Sequence, residues 1–193
     1  KGQRFISNSA VASMGYDLPA AIGAYMANLD GKRFDKELIL ITGDGSIQMN
    51  LQELQTIVHH KMDIKIFLIN NEGYHSIRQT QNKFFGDKPL VGIGPDSGDL
   101  SFPDMGKLAG AYGITYFCAK TNSELEDAVF KTFKAVGPVI CEAFVTKEQN
   151  FEPKSSGKQL ADGRMVSPPL EDLTPFLSDE EMEENMIVPR MSE

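Results

Sequence analysis

Two short runs of apolar, largely β-branched residues, Glu37 to Thr42 (ELILIT) and Ile64 to Asn70 (IKIFLIN), bracket a stretch of helical periodicity. This arrangement constrains the fold more than any other feature of the chain. Runs that are apolar on both faces suit strands buried on both sides, the condition of a parallel sheet. Between them Leu51, Leu54, Ile57 and Val58 recur at three and four, with Asn50 as the expected N-cap and Glu53 at the capping-box position. Strand, glycine turn, helix and strand make a βαβ unit with a right-handed crossover. The same alternation extends in both directions. Helical spacing runs from Tyr16 to Leu29 (Leu18, Ala21, Ile22, Tyr25, Met26, Leu29), from Pro103 to Tyr112, and from Thr121 to Val136, where Leu125, Val129 and Phe133 share a face and Gly137-Pro138 ends the pattern. ITYFCA and PVICEAFV read as two further strands, while residues 86–103 are rich in Gly and Pro and read as a loop. The predicted fold is α/β, a doubly wound parallel sheet with helices on both faces. It fills residues 1–150; residues 151–193 form a C-terminal extension with a short acidic helix from Ser178 to Asn185.

Composition narrows the function. The 193 residues carry 27 acidic against 19 basic side chains, a net charge of −8, which removes the electrostatic footprint of a nucleic-acid binder. Eight of the acids and one base lie in residues 170–193, so the acidity belongs to the tail and the predicted domain is close to neutral. No apolar run approaches the roughly 18 residues that a spanning helix needs, so no membrane association is expected. Cys118 and Cys141 each sit in an apolar run and are expected to be buried thiols in a reducing cytoplasm. The chain opens on Lys1 in already patterned sequence, and a piece of a longer protein is expected.

Ligands of open parallel sheets bind at the carboxyl ends of strands. Two strand ends stand out. Thr42-Gly43-Asp44-Gly45-Ser46 flanks a carboxylate with glycines that permit a sharp turn and bring backbone amides close to an anion. An ordinary strand-to-helix turn is the alternative. It is neither a dinucleotide fingerprint, since Gln48 stands where the third glycine would be, nor a P-loop. Asn70-Asn71-Glu72-Gly73-Tyr74 is the second, and Asn is at home in turns without any ligand. Adjacent strands bring Asp44 and Asn71 to neighbouring positions on one sheet edge. A carboxylate, an amide oxygen and a turn carbonyl make half of an octahedral oxygen shell, the way Mg²⁺ is held when a ligand's phosphates complete it.

Gly43-Asp44-Gly45-Ser46 followed across one helix and one strand by Asn70-Asn71 resembles the cofactor motif of thiamine-diphosphate-dependent 2-oxoacid enzymes, the acetolactate synthases and related decarboxylases and carboligases. The segment Ala12-Ser13-Met14-Gly15-Tyr16-Asp17-Leu18-Pro19-Ala20-Ala21-Ile22-Gly23-Ala24 is similar to the stretch that precedes the motif in acetolactate-synthase-like proteins, and the resemblance runs from about residue 8 to Val145. It implies the C-terminal, diphosphate-binding domain of such an enzyme, with thiamine diphosphate and Mg²⁺ as cofactors and a 2-oxo acid as substrate. It further implies that Asp44, the Asn71 side chain and the Gly73 carbonyl bind Mg²⁺, and that Gly43, Gly45, Ser46 and the Gly73-Tyr74 backbone surround the diphosphate. Met14 would wedge between the cofactor's two rings, and the backbone of Ala12 would bond its pyrimidine amino group; a core methionine is the alternative for Met14.

The departures matter as well. The glutamate that activates the cofactor in this family comes from an N-terminal domain, usually of a partner subunit, and no residue here matches it. Glu53 is expected to be a cap or a structural carboxylate. No catalytic residue is therefore assigned in this chain, which is expected to be inactive alone and to work as a homo-oligomer, dimer or tetramer, together with N-terminal domains. Arg78-Gln79-Thr80-Gln81 stands where acetolactate synthases carry Arg-Gln-Trp-Gln, which puts acetolactate formation itself in question. His75 and Arg78 are expected in a solvated loop, and His59 and His60 at a helix end. Two rivals remain open: a non-catalytic assembly or regulatory module of this fold, and a nucleotide-binding α/β domain that uses Asp44 on Mg²⁺.

Overall fold

A computed structural model describes residues 3–8, 11–28, 37–86 and 90–189. They fall into two compact units, 1–147 and 148–193.

In the first unit four strands, β1 (Leu38–Gly43), β2 (Ile64–Asn70), β3 (Thr115–Ala119) and β4 (Val139–Phe144), pair in the order β1-β2-β4-β3, and every pairing is parallel. Side chains alternate across such a sheet, and the alternation sorts the core into two layers. Leu40, Ile64, Ile66, Leu68 and Ile140 pack with Leu18 of α1 (Asp17–Asn28), with Leu54 and Ile57 of α3 (Glu53–His59), and with Met105 and Ala109 of α5 (Met105–Tyr112). On the opposite face Phe67, Phe117, Ala119 and Cys141 meet Ala128 of α6 (Asn122–Lys134), and Phe67 and Phe133 bring their ring centroids to 5.7 Å. The coverage is unequal. Over β1 the second face carries Ile39 and Ile41, both exposed among the described residues. The doubly wound α/β class is thus present, with one face packed by three helices.

Several local expectations are corrected. The βα connection contains no free turn, because the helical α2 (Asp44–Ile47) starts at the residue after β1. Asn50 does not cap the next helix; Gln52 occupies that position, the Asn50 amide donates to the Gly15 carbonyl at 2.6 Å, and Glu53 accepts from the Thr56 hydroxyl. Residues 75–85 are not a loop but the helix α4 (His75–Phe85). Its buried positions are His75 and Arg78, polar residues that a search for apolar periodicity does not register. Met26 and Leu125 are exposed, and the buried stripe of α6 is Ala128 and Thr132. Cys118 is exposed and Cys141 buried, both as free thiols. Leu29 lies outside the described residues. At the start of α6 the Glu124 carboxylate reaches back to accept from the Thr121 amide at 3.1 Å, a capping-box contact.

The second unit holds a two-stranded antiparallel ribbon, β5 (Lys158–Gln159) with β6 (Met165–Val166), and α7 (Asp179–Asn185), whose Ser178 hydroxyl caps the Glu181 amide. Among the described residues no helix is long and apolar enough to cross a membrane.

Candidate functional site

The carboxyl ends of β1 and β2 are neighbours, with Gly43 in register with Ile69. The two strands lead into turns of different kinds. After β1 the chain passes from extended Gly43 straight into α2, and Asp44 is left 2% exposed at the strand end. Its carboxylate accepts two backbone hydrogen bonds, from Gly45 N at 2.9 Å and from Gly73 N, on the other turn, at 2.8 Å. Burial pushes its pKa from 3.8 up to about 6, against the pull of those two amides, and the charge of Glu142 adds to the rise.

After β2 the chain turns through Glu72 at φ +57° and Gly73 at φ +129°. A Cβ on Gly73 would lie 1.9 Å from the Ile93 carbonyl oxygen, so only glycine fits there. The turn is held from several sides. The Asn70 side chain accepts from Glu72 N at 3.0 Å and donates to Glu142 at 2.7 Å. Glu142, 3% exposed on β4, also accepts from the Tyr116 hydroxyl, and burial followed by this bond raises the Tyr116 pKa. Asn71 Oδ1 is buried without a hydrogen-bond partner. A buried acceptor left unmade costs on the order of 1–3 kcal/mol, so an unpaired oxygen here asks for a ligand.

A third segment joins these two. Gly15 donates to the Ser46 hydroxyl at 3.0 Å and accepts from Asn50, while the Thr42 hydroxyl donates to the Asp17 carboxylate. The residues before α1 are thereby pinned against the Asp44 turn. Met14, in that segment, is half-exposed and does not pack as a core methionine. Ala12 adopts φ +51°, a left-handed conformation that glycine favours. The Tyr74 ring lies against Gly45, whose Cβ, if present, would sit 2.3 Å from the ring.

The structure therefore brings together Gly43, Asp44, Gly45, Ser46, Asn71, Gly73 and Tyr74 at adjoining strand ends, with Met14 reached through Gly15. Ala12 precedes Met14 by two residues, and its amide donates to Asn8 O at 2.8 Å rather than to this group. Sequence reasoning misplaced His75 and Arg78, which are 5% exposed on α4 directly behind the second turn. A donor set of carboxylate, amide oxygen and carbonyl is hard and suits Mg²⁺. Among the described residues no group of three or more His, Cys, Asp or Glu side chains could hold a metal, so the amide and backbone oxygens are indispensable to any such site. The unpartnered Asn71 oxygen and the buried Asp44 carboxylate fit a divalent cation.

Comparison with known proteins gives the family. Residues 1–143 match the family described as thiamine pyrophosphate enzyme, C-terminal TPP binding domain. The acetolactate synthase large subunit of Cyanidium caldarium is 38% identical over 150 residues, 78% of this chain and 24% of that protein. The acetolactate synthase isozyme 2 large subunit of Escherichia coli is 31% identical over 151 residues, 78% of this chain and 26% of that protein. The chain thus spans about a quarter of the length of the curated relatives it matches. The crystal structure of benzoylformate decarboxylase from Polynucleobacter necessarius superimposes with a TM-score of 0.61 at 26% identity, over 72% of this chain and 25% of that one. With the strand-end turns, the parallel sheet and these relatives in agreement, the chain belongs to the thiamine pyrophosphate enzymes as their C-terminal TPP-binding domain.

Proposed function

We propose that this chain supplies the thiamine-diphosphate and Mg²⁺ site of an acetolactate-synthase-like enzyme that decarboxylates or carboligates a 2-oxo acid, and that it needs N-terminal domains and a partner subunit to turn over. The observation that carries the reading is the buried, unpartnered Asn71 Oδ1, two residues before the amide that holds Asp44. Asp44, Asn71 Oδ1 and the Gly73 carbonyl would hold the cation, and Gly43, Gly45, Ser46 and the Gly73-Tyr74 backbone would receive the diphosphate. When bound, the cofactor would supply a carbanion and an electron sink for the decarboxylation or carboligation of a 2-oxo acid. The chain's own part is positioning: Asp44 keeps its orientation through two amides, Ser46 fixes the Met14 segment through Gly15, and Tyr74 packs over Gly45 and closes the floor between the two turns. Thr80, which stands where acetolactate synthases carry Trp, is exposed on α4 with its hydroxyl donating to Ser76 O at 2.9 Å, and acetolactate formation itself stays in question. The two free thiols are in keeping with a cytoplasmic setting.

Calorimetry of the intact protein with thiamine diphosphate, with and without Mg²⁺, tests this. Metal-dependent binding that disappears in Asp44→Ala is the expected result. Equal binding without the metal, or in the variant, overturns it.

A further inference from the structure

Arg78 lies outside both strand-end motifs, yet it is among the most buried polar residues of the first unit. Its guanidinium spans two successive carbonyls of the second turn, with Nη1 3.3 Å from Asn71 O and Nη2 3.0 Å from Glu72 O. Nη1 also lies 3.3 Å from His75 Nδ1, and Nη2 lies 3.5 Å from the Asp96 carboxylate. Asp96 belongs to a separate turn that crosses the backbone of the first. Tyr74 N donates to Ile93 O at 2.7 Å, and a Cβ on Gly94 would stand 2.4 Å from Glu72 O. Lys147 closes the cluster, 3.0 Å from Glu72 and 2.8 Å from Asp96. Glu72 keeps a positive φ, a conformation that a residue with a side chain holds only where its surroundings impose it. A planar fork of donors suits two adjacent carbonyls, which a point-charge ammonium cannot span.

We infer that Arg78 is a positioning residue of the proposed metal site. By fixing the carbonyls of Asn71 and Glu72 it sets the direction of the Asn71 side-chain oxygen and of the Gly73 carbonyl, and through Asp96 it makes the 93–97 turn part of the same rigid piece. This role rests on the proposed binding of Mg²⁺ by Asp44, Asn71 and Gly73. Partners behind metal ligands change affinity by 10–100-fold when removed.

The test titrates Mg²⁺ into the intact protein at saturating thiamine diphosphate and records metal-free melting in parallel. Arg78→Met raises the Mg²⁺ Kd by about tenfold or more, and Arg78→Lys recovers part of the loss. A wild-type protein that binds no Mg²⁺ defeats the metal reading itself. Wild-type binding with an unchanged Kd in Arg78→Met, whatever its melting temperature, overturns the role given to Arg78. If Arg78→Met does not fold, Arg78→Lys decides: a weakened Kd at a retained melting temperature supports the inference, and an unchanged Kd overturns it.

Discussion

The two turns at the head of β1 and β2 hold neighbouring groups by opposite means. The Asp44 turn needs no unusual backbone at its first glycine: helix begins at once, and Gly43 is ordinary extended chain with nothing nearer its absent Cβ than Ile69 O at 4.0 Å. The Asn71 turn is fixed from a distance, by Arg78, Glu142 and the crossing segment at Ile93, around a glycine that no other residue can replace. A motif's residues can thus be local while the forces that shape them are not.

Four experiments bear on this contrast. The largest effect belongs to the one group that both turns share. Asp44→Ala removes the anchor for Gly45 N and Gly73 N together with the only carboxylate proposed for the cation, and calorimetric Mg²⁺-dependent binding of thiamine diphosphate vanishes. Next, the glycines should separate the turns. Gly73→Ala meets both a clash and a positive φ and costs about 3 kcal/mol or more in denaturant unfolding, whereas Gly43→Ala costs under about 1 kcal/mol. Equal costs at the two positions break the contrast.

A third experiment follows the pH. Because the folded pKa of Asp44 is raised above 3.8, its contribution favours the metal-free fold below pH 3.8 and is lost as pH rises through about 6. Between those limits the span is on the order of 3 kcal/mol. Asp96 and Asp99, whose pKa values are lowered by Lys147 and by Ser97 respectively, act in the opposite sense and lose their contribution only below 3.8. Mg²⁺ needs the ionised carboxylate, so affinity falls below pH 6 by about tenfold per unit. A flat Mg²⁺ affinity from pH 7 to 5 sinks the assignment of that proton to Asp44. The smallest effect is at the rim. Lys147→Met removes ion pairs to Glu72 and Asp96 that solvent screens, and its unfolding midpoint should not be separable from wild type at about 0.15 M salt. A clear loss there places more of the distant support in Lys147 than in Arg78.

The sequence carried the parallel sheet and both strand ends because β-branched runs and glycine-flanked polar residues are strong local signals. Reading ELILI and IKIFLI as adjacent strands brought Asp44 and Asn71 to one sheet edge, whereas the metal-ligand roles proposed for them and for the Gly73 carbonyl rest on the family resemblance. What escaped was whatever depends on a polar residue turning inward. α4 buries His75 and Arg78 one turn apart, and the partners of Arg78 are backbone carbonyls and the Asp96 carboxylate, far along the chain or invisible to composition. Cys118 misled for the converse reason: ITYFCA is apolar on average, but Cys118 is on the edge strand β3, exposed.

The Tyr74 ring resting on Gly45 has a consequence for how such a site can be inherited. Any side chain at 45 must displace the ring, and moving the ring disturbs the residue whose amide binds Ile93. Position 45 can therefore take a side chain only if position 74 changes with it. A designer who grafts the two strand ends onto another parallel sheet would have to carry over the residues that hold the second one in place, Gly94 and Arg78 among them.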